Sequence, residues 1–352
     1  MRKKIRFTTV PLLLSSFLAS SLYAEINTAQ KSNKEAHLNS KKEEIVVYTS
    51  RNEELIKPVF DMYTKETGVQ VVYHTGKAGL LMQKILSEGK KTPADVLLTV
   101  DAGNLWAAKE KGILAPVESS VLNKNVDSRF RDPQGYWYGF SLRARTIVYN
   151  PDQVKVTELS SYEDLALPKW KDRLCLRTSK KVYNQSLVAM MIEQHGEAKT
   201  EGIVKGWVSN LATDVFSNDT KLIEAVAAGK CGVGVVNSYY FGRLVRKKPD
   251  LKAKLFWPDA KLGGVHVNVS GGALVANSDN KKVATQFLEF LSSTKAQKMF
   301  ASLNLEYPVS KSVDKDPLVQ SWGSFEYSKL NLDFAGKRQI QAIKLMDRAK
   351  YR

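Results

Sequence analysis

Two adjacent tyrosines, Tyr239 and Tyr240, close the apolar run of VVNSYYFGR, and a third, Tyr183, stands in the loop KKVYNQ. Neighbours on one strand point to opposite faces, so a pair serving one target requires the strand to end before it. Ser238 reads as the N-cap of a helix, which puts both phenols in the first turn, where they can lean to one side. A phenol ordinarily keeps its proton to about pH 10. A helix N-terminus eases ionisation a little, and a bound trivalent cation does far more. Phenolate is a hard oxygen donor and suits a hard cation. Taken alone, Tyr183 is better explained by packing with its hydroxyl bonded to backbone.

The remaining residue types narrow the chemistry. Four histidines, His37, His74, His195 and His266, show no HExxH spacing, and Cys175 and Cys231 form no CxxC pair. That argues against zinc or copper. The chain also lacks a G-x-S-x-G elbow, a Walker loop and a Rossmann fingerprint, so no constellation for enzymatic catalysis is present. In the loop YTSRNEE, Ser50 and Glu53 have the spacing of a capping box opening the next helix.

Elements must hold these residues in place. From Glu44, the apolar strands EIVVYTS, VQVVYHT and ADVLLTV alternate with amphipathic helices in NEELIKPVFDMYTKETG, AGLLMQKILSEG and AGNLWAAKEKG. This alternation predicts a largely parallel sheet with helices on both faces. GYWYGFSLRARTIVYN reads as two strands in succession. A second α/β set follows, with a strand around Cys175, a helix beginning near Asn184 that leaves Tyr183 just ahead of it, and the strand CGVGVVN. HVNVSGGALVAN reads as a strand returning to the first set, and the tail from Gln339 as a short helix packing through Ile343, Leu345 and Met346. The expected fold class is α/β: two lobes, 44–145 with 270–320 and 146–269 with 321–352, joined by crossing strands. Ligands gather in a cleft between such lobes, outside strand carboxyl ends and facing helix N-termini.

The basic head Arg2, Lys3, Lys4 and Arg6, an apolar run from Phe7 to Leu22 and Ala24 have the layout of a signal peptide over 1–24. A polar leader, 25–43, follows. Export means an oxidising compartment, where the two cysteines could form one disulfide. The formal charge is +17; its lysines and arginines are scattered in pairs, so nucleic acid is not an expected partner, and a surface steering an anion is.

From Glu44 onward the chain resembles the periplasmic iron-binding proteins of ABC transporters, the ferric-binding, transferrin-like group of bacteria. The stretches TPADVLLTVDAGNLW, LRARTIVYN, PKWKDRL, YNQSLVA, NDTKLIEAVAAGKC, NSYYFGR, HVNVSGGALV and EFLSSTKAQ run in the family's order. The resemblance implies a two-lobed, monomeric receptor that closes on one Fe³⁺ and delivers it from the periplasm to a permease driven by an ATPase. It assigns Tyr183, Tyr239 and Tyr240 as metal ligands and Arg143 to an accompanying anion such as carbonate. Relatives carry His, or His-Tyr, where this chain has Asn52 and Glu53; Glu53 is the expected carboxylate ligand, with Asn52 nearby. The competing readings are ferrous iron or an iron chelate in the same fold, a receptor for a small anion or organic solute, and an exported enzyme.

Overall fold

A computed structural model describes residues 43–352 of the 352-residue chain. The signal-peptide expectation, and nearly all of the leader, lie outside the described residues. Among those described, no helix is long and apolar enough to cross a membrane.

The first three strands, β1 (Glu44–Thr49), β2 (Gln70–Thr75) and β3 (Val96–Thr99), form the expected parallel set, with β1 between the other two. Their helices are α1 (Glu53–Thr67), α2 (Ala78–Glu88) and α3 (Ala102–Glu110). In α1, Ile56, Val59, Phe60 and Tyr63 recur at helical spacing and are buried, which is the apolar stripe that fastens a surface helix to a sheet. Gly68 ends it in the left-handed conformation, φ 77°, as a helix-terminating glycine does. Beyond α3 come β4 (Leu114–Ala115) and α4 (Ser120–Asn125).

Two long strands then carry the chain through the middle of the sheet. β5 (Tyr138–Tyr149) is one element of 12 buried residues, not two strands in succession. Its pairing with β9 (His266–Val275) shifts register between Gly139 and Ser141. A bulge of this kind bends a strand without ending it. A side chain at Gly139 would meet Val269 at 2.7 Å, so the crossing is that close. β9 also pairs with β3, and β5 with β7 (Val233–Asn237), both antiparallel. β6 (Leu174–Cys175) lies parallel to β7, and β8 (Lys254–Phe256) and β10 (Tyr307–Pro308) add to β5. The sheet is therefore parallel at its two ends and antiparallel where the crossing strands run.

Helices α5 (Val182–His195), α6 (Glu197–Ser209), α7 (Asp219–Ala227) and α8 (Ser238–Lys247) surround the far end. α9 (Lys281–Leu291) and α10 (Thr294–Asn304) return to the first. After the short α11 (Pro317–Gln320), α12 (Phe334–Lys337) wedges between α3 and α5, with Gly336 so close to the Trp106 ring that a side chain there would lie 2.5 Å from it. In the terminal helix α13 (Gln339–Arg348), Leu345 and Met346 are buried as expected, joined by Ala342, while Ile343 faces solvent.

Cys175 and Cys231 are disulfide-bonded, with Cα atoms 5.9 Å apart across a separation of 56 residues. Closing a loop of that length in the unfolded chain contributes about 4 kcal/mol in the chain-entropy picture.

Candidate metal centre

β7 ends at Asn237, whose extended backbone (φ −78°, ψ 132°) caps α8. The cap falls one residue before the expected Ser238. Tyr239 and Tyr240 still occupy the first turn, with ring centroids 4.3 Å apart and planes tilted by 33°, so the two phenols do lean together. Tyr183 also belongs to a first helical turn, because α5 starts at Val182. Lys181 is the extended residue before it and makes no side-chain cap bond; without Ser, Thr, Asp or Asn at that position the sequence carries no start signal there. The Tyr239 and Tyr183 hydroxyls meet at 3.5 Å. Two helix N-termini thus bring three phenols to one cavity, and the partial positive charge of those ends favours negative charge there.

Four guanidinium groups surround them. The Arg143 Cζ lies 5.2 Å from the Tyr183 ring, that of Arg177 5.4 Å from Tyr183 and 5.8 Å from Tyr240, and that of Arg243 4.9 Å from Tyr239. Arg51 pairs at 3.1 Å with Glu306, which also accepts from the Ser141 hydroxyl at 2.6 Å. Arg51, Arg143, Arg243 and Glu306 line a cavity of about 230 Å³ with the three tyrosines, Asn52 and Leu55, while Arg177 stands behind the Tyr183 and Tyr240 rings. Arg143 is buried, and its Nη2 donates to the carbonyl of Val269 at 2.9 Å.

A polar layer beneath the tyrosines fixes their backbones. Asp219 is fully buried and accepts from Arg145 at 3.3 Å, from Arg177 at 3.4 Å and from the backbone N–H of Asn237 at 2.9 Å. Arg145 donates onward to the side chains of Asn184 (2.6 Å) and Asn237 (3.2 Å). Asn184, one residue after Tyr183, donates to the Tyr351 hydroxyl at 2.8 Å. Both helix starts that carry the phenols are therefore bonded into one network.

Burial pushes the Tyr239 phenol well above its ordinary value of 10, and the neighbouring Tyr183 and Tyr240 push it further than Arg143 can offset. At neutral pH it is therefore protonated. Asp101, which caps α3 and bonds Asn268, is raised to about 6 by burial against the opposing charge of Arg143. His266 is lowered to about 3 by burial and then by Arg145 and Arg143, so it is neutral. His195 pairs with Glu163, and His74 is exposed. No group of three or more His, Cys, Asp or Glu able to hold a metal occurs among the described residues.

The structure does not bring Glu53 to this cavity. Its side chain is exposed and accepts from the Tyr73 hydroxyl at 2.7 Å, away from the residues that line the site. The capping box is also absent: Asn52 caps α1 by accepting from the Glu54 N–H at 3.3 Å, and the Ser50 hydroxyl accepts from the Val100 N–H instead. Asn52, in the extended cap position, lines the cavity, and Glu53, the first helical residue, does not. Sequence reasoning passed over Arg51, Arg177, Arg243 and Glu306. Arg243 had a signal, since it lies four residues after Tyr239 on the same helix face. Glu306 had none, being a lone carboxylate after α10.

Residues 91–329 match the family described as bacterial extracellular solute-binding protein. The Iron uptake protein A1 of Synechocystis is 43% identical over 316 residues, 88% of each chain. The Major ferric iron-binding protein of Neisseria meningitidis is 26% identical over 77% of this chain and 82% of its own. Among solved structures, the Trichodesmium protein (IdiA, FutA) in complex with iron and citrate ligands superposes with a TM-score of 0.84 at 45% identity, covering 88% of this chain and all of the other. The architecture is thus the two-lobed periplasmic binding-protein fold, with the crossing strands β5 and β9 between the lobes. The chain belongs to the bacterial extracellular solute-binding protein family.

Proposed function

We propose that the protein is the periplasmic receptor of an iron ABC transporter, which captures Fe³⁺ through the phenolates of Tyr183, Tyr239 and Tyr240 and hands it to an inner-membrane permease and its ATPase. The observation that carries this reading is the convergence of three phenols from two helix N-termini inside a ring of guanidinium groups. Similarity to iron-uptake and ferric-binding proteins supports it. The lobes, divided as 44–145 with 270–320 and 146–269 with 321–352, close about the crossing strands, and iron favours the closed state because only there do both walls reach it. The receptor acts as a monomer, exported by the segment 1–24.

Three phenolates balance the charge of Fe³⁺, and the nearby arginines then favour a further anion. Asn52 offers only a neutral amide from the opposite wall, so a small oxygen anion, carbonate or a citrate-like carboxylate, completes the coordination beside Arg143. The related Trichodesmium structure holds both iron and citrate. Glu53 takes no part: Glu53→Ala is expected to leave iron affinity within about twofold of the original in chelator competition, a change no larger than an ordinary surface substitution produces.

Protons supply the test. Tyr239 titrates above 10 in the iron-free protein, so between pH 5 and 8 it must lose its proton when iron binds, and acid returns that proton and expels the metal. Equilibrium dialysis against ferric citrate, corrected for the chelator's own protonation, should show one iron per chain. Its apparent affinity should weaken at least tenfold for each unit of falling pH. A pH-independent affinity would overturn phenolate ligation.

A further inference from the structure

On the opposite face of the crossing strands lies a second cavity, of about 270 Å³. Consecutive strand residues point to opposite faces, and the lining shows this directly. Leu142 lines the second cavity while Arg143 lines the iron cleft; Tyr307 lines the second cavity while Glu306 lines the cleft. Val267 likewise faces the second cavity, and its neighbour Asn268 bonds Asp101 beside Arg143. The two spaces therefore share β5, β9 and β10 as a common wall.

The lining has a definite chemistry. Phe130, Tyr307, Phe325 and Tyr327 supply aromatic walls, and Lys311 and Lys315 join them. Lys315 Nζ lies 5.5 Å from the centre of the Tyr307 ring, and no carboxylate lies within ion-pair distance of either lysine among the described residues. The adjacent Asp127 is already engaged by both forks of Arg129, at 2.9 and 2.8 Å. An apolar body with one negative end satisfies both features. The volume falls just short of the roughly 300–1,000 Å³ of drug-sized ligand sites, which allows one ring and a short acid chain.

We infer that this cavity is a binding site for a small aromatic monocarboxylate and that its occupancy tightens iron binding. Phe130, Leu142 and the segment 307–315 belong to the first lobe, and Val267, Phe325 and Tyr327 to the second, in the division proposed above. Rotation that opens the cleft presses together the surfaces behind the strands. An occupant there resists opening and holds the lobes in the iron-bearing arrangement. Coupling between two sites is reciprocal, so iron must tighten the acid by the same factor. Only this coupling rests on the proposed iron function; the site itself does not.

Calorimetric titration of the iron-free protein with 3-phenylpropionate as probe tests the site without iron. One saturable site is expected. Its affinity should fall at least tenfold in the Lys311→Ala/Lys315→Ala double variant, and at least tenfold when the neutral 3-phenylpropanol replaces the acid. Tyr239→Phe should leave it unchanged. No saturation up to about 10 mM, or binding that survives loss of both lysines and disappears in Tyr239→Phe, would overturn the site. Saturating probe should then raise iron affinity about fivefold or more; iron affinity indifferent to bound probe would overturn the coupling while leaving the iron site itself untouched.

Discussion

Tyr239→Phe is expected to lower Fe³⁺ affinity by at least a hundredfold, beyond the roughly 10–100-fold cost of losing an outer-shell partner of a metal. The side chain is the most buried of the three phenols and touches both others, its hydroxyl 3.5 Å from that of Tyr183 and its ring centroid 4.3 Å from that of Tyr240. Removing one oxygen leaves the ring volume intact, so the packing persists and only the donor is lost. The deficit in negative charge also leaves Arg143 and Arg243 facing one phenolate fewer, which raises the cost of holding a trivalent cation there. Competition against a ferric chelator, on wild type and variant, measures the loss. The pH dependence should shrink with it, because the buried proton that iron displaces from Tyr239 is no longer present. A loss of less than tenfold would place the metal elsewhere in the cleft.

Asp219→Ala carries the largest expected effect on stability, about 3–5 kcal/mol, the usual consequence of removing one partner from a buried ion pair. The carboxylate is fully buried and is shared by two guanidinium groups, Arg145 and Arg177, whose side chains are also almost wholly enclosed. Its loss leaves two cations in low dielectric with no counter-charge and removes the acceptor for the Asn237 N–H. Against a total stability of about 5–15 kcal/mol, this is a large fraction. The exposed pair Lys252–Asp152, at a similar 3.1 Å, belongs to the class that contributes about 0–1 kcal/mol. Urea denaturation of the iron-free protein reads the difference as a lower midpoint. Because Asp219 underlies both helix starts, the folded fraction of the variant should also bind iron more weakly.

Much of this architecture is legible in the sequence where one local rule decides it. The α1 stripe and its terminating glycine, the parallel strands β1 to β3, and the tyrosine pair at a strand-to-helix junction all follow from period, turn chemistry and chain direction. Other features depend on partners far away in sequence. β5 reads as two strands because the bulge at Gly139 interrupts the pattern, and only pairing with β9 keeps it continuous. α5 begins before Tyr183 without a capping side chain, since Asn184 is tied to Arg145 and Tyr351 instead. Ile343 and Leu345 are equally apolar, and which of them is buried depends on how α13 lies on its neighbours. Glu53 shows the same limit at the site: its residue type suited a ligand, and its side chain instead accepts from Tyr73 on β2, outside the cavity. Glu306 takes the cleft position from a segment with no motif, through its bonds to Arg51 and Ser141.

The central claim is that tyrosine phenolates hold the iron, and the visible absorption spectrum of the iron-loaded protein tests it most directly. Phenolate bound to Fe³⁺ gives a charge-transfer band in the visible range. That band is expected in the wild-type protein at one iron per chain, and a weaker, shifted band in Tyr183→Phe, which removes one of three phenolates while Tyr239 and Tyr240 remain. A wild-type protein that binds stoichiometric ferric iron and stays colourless would contradict it.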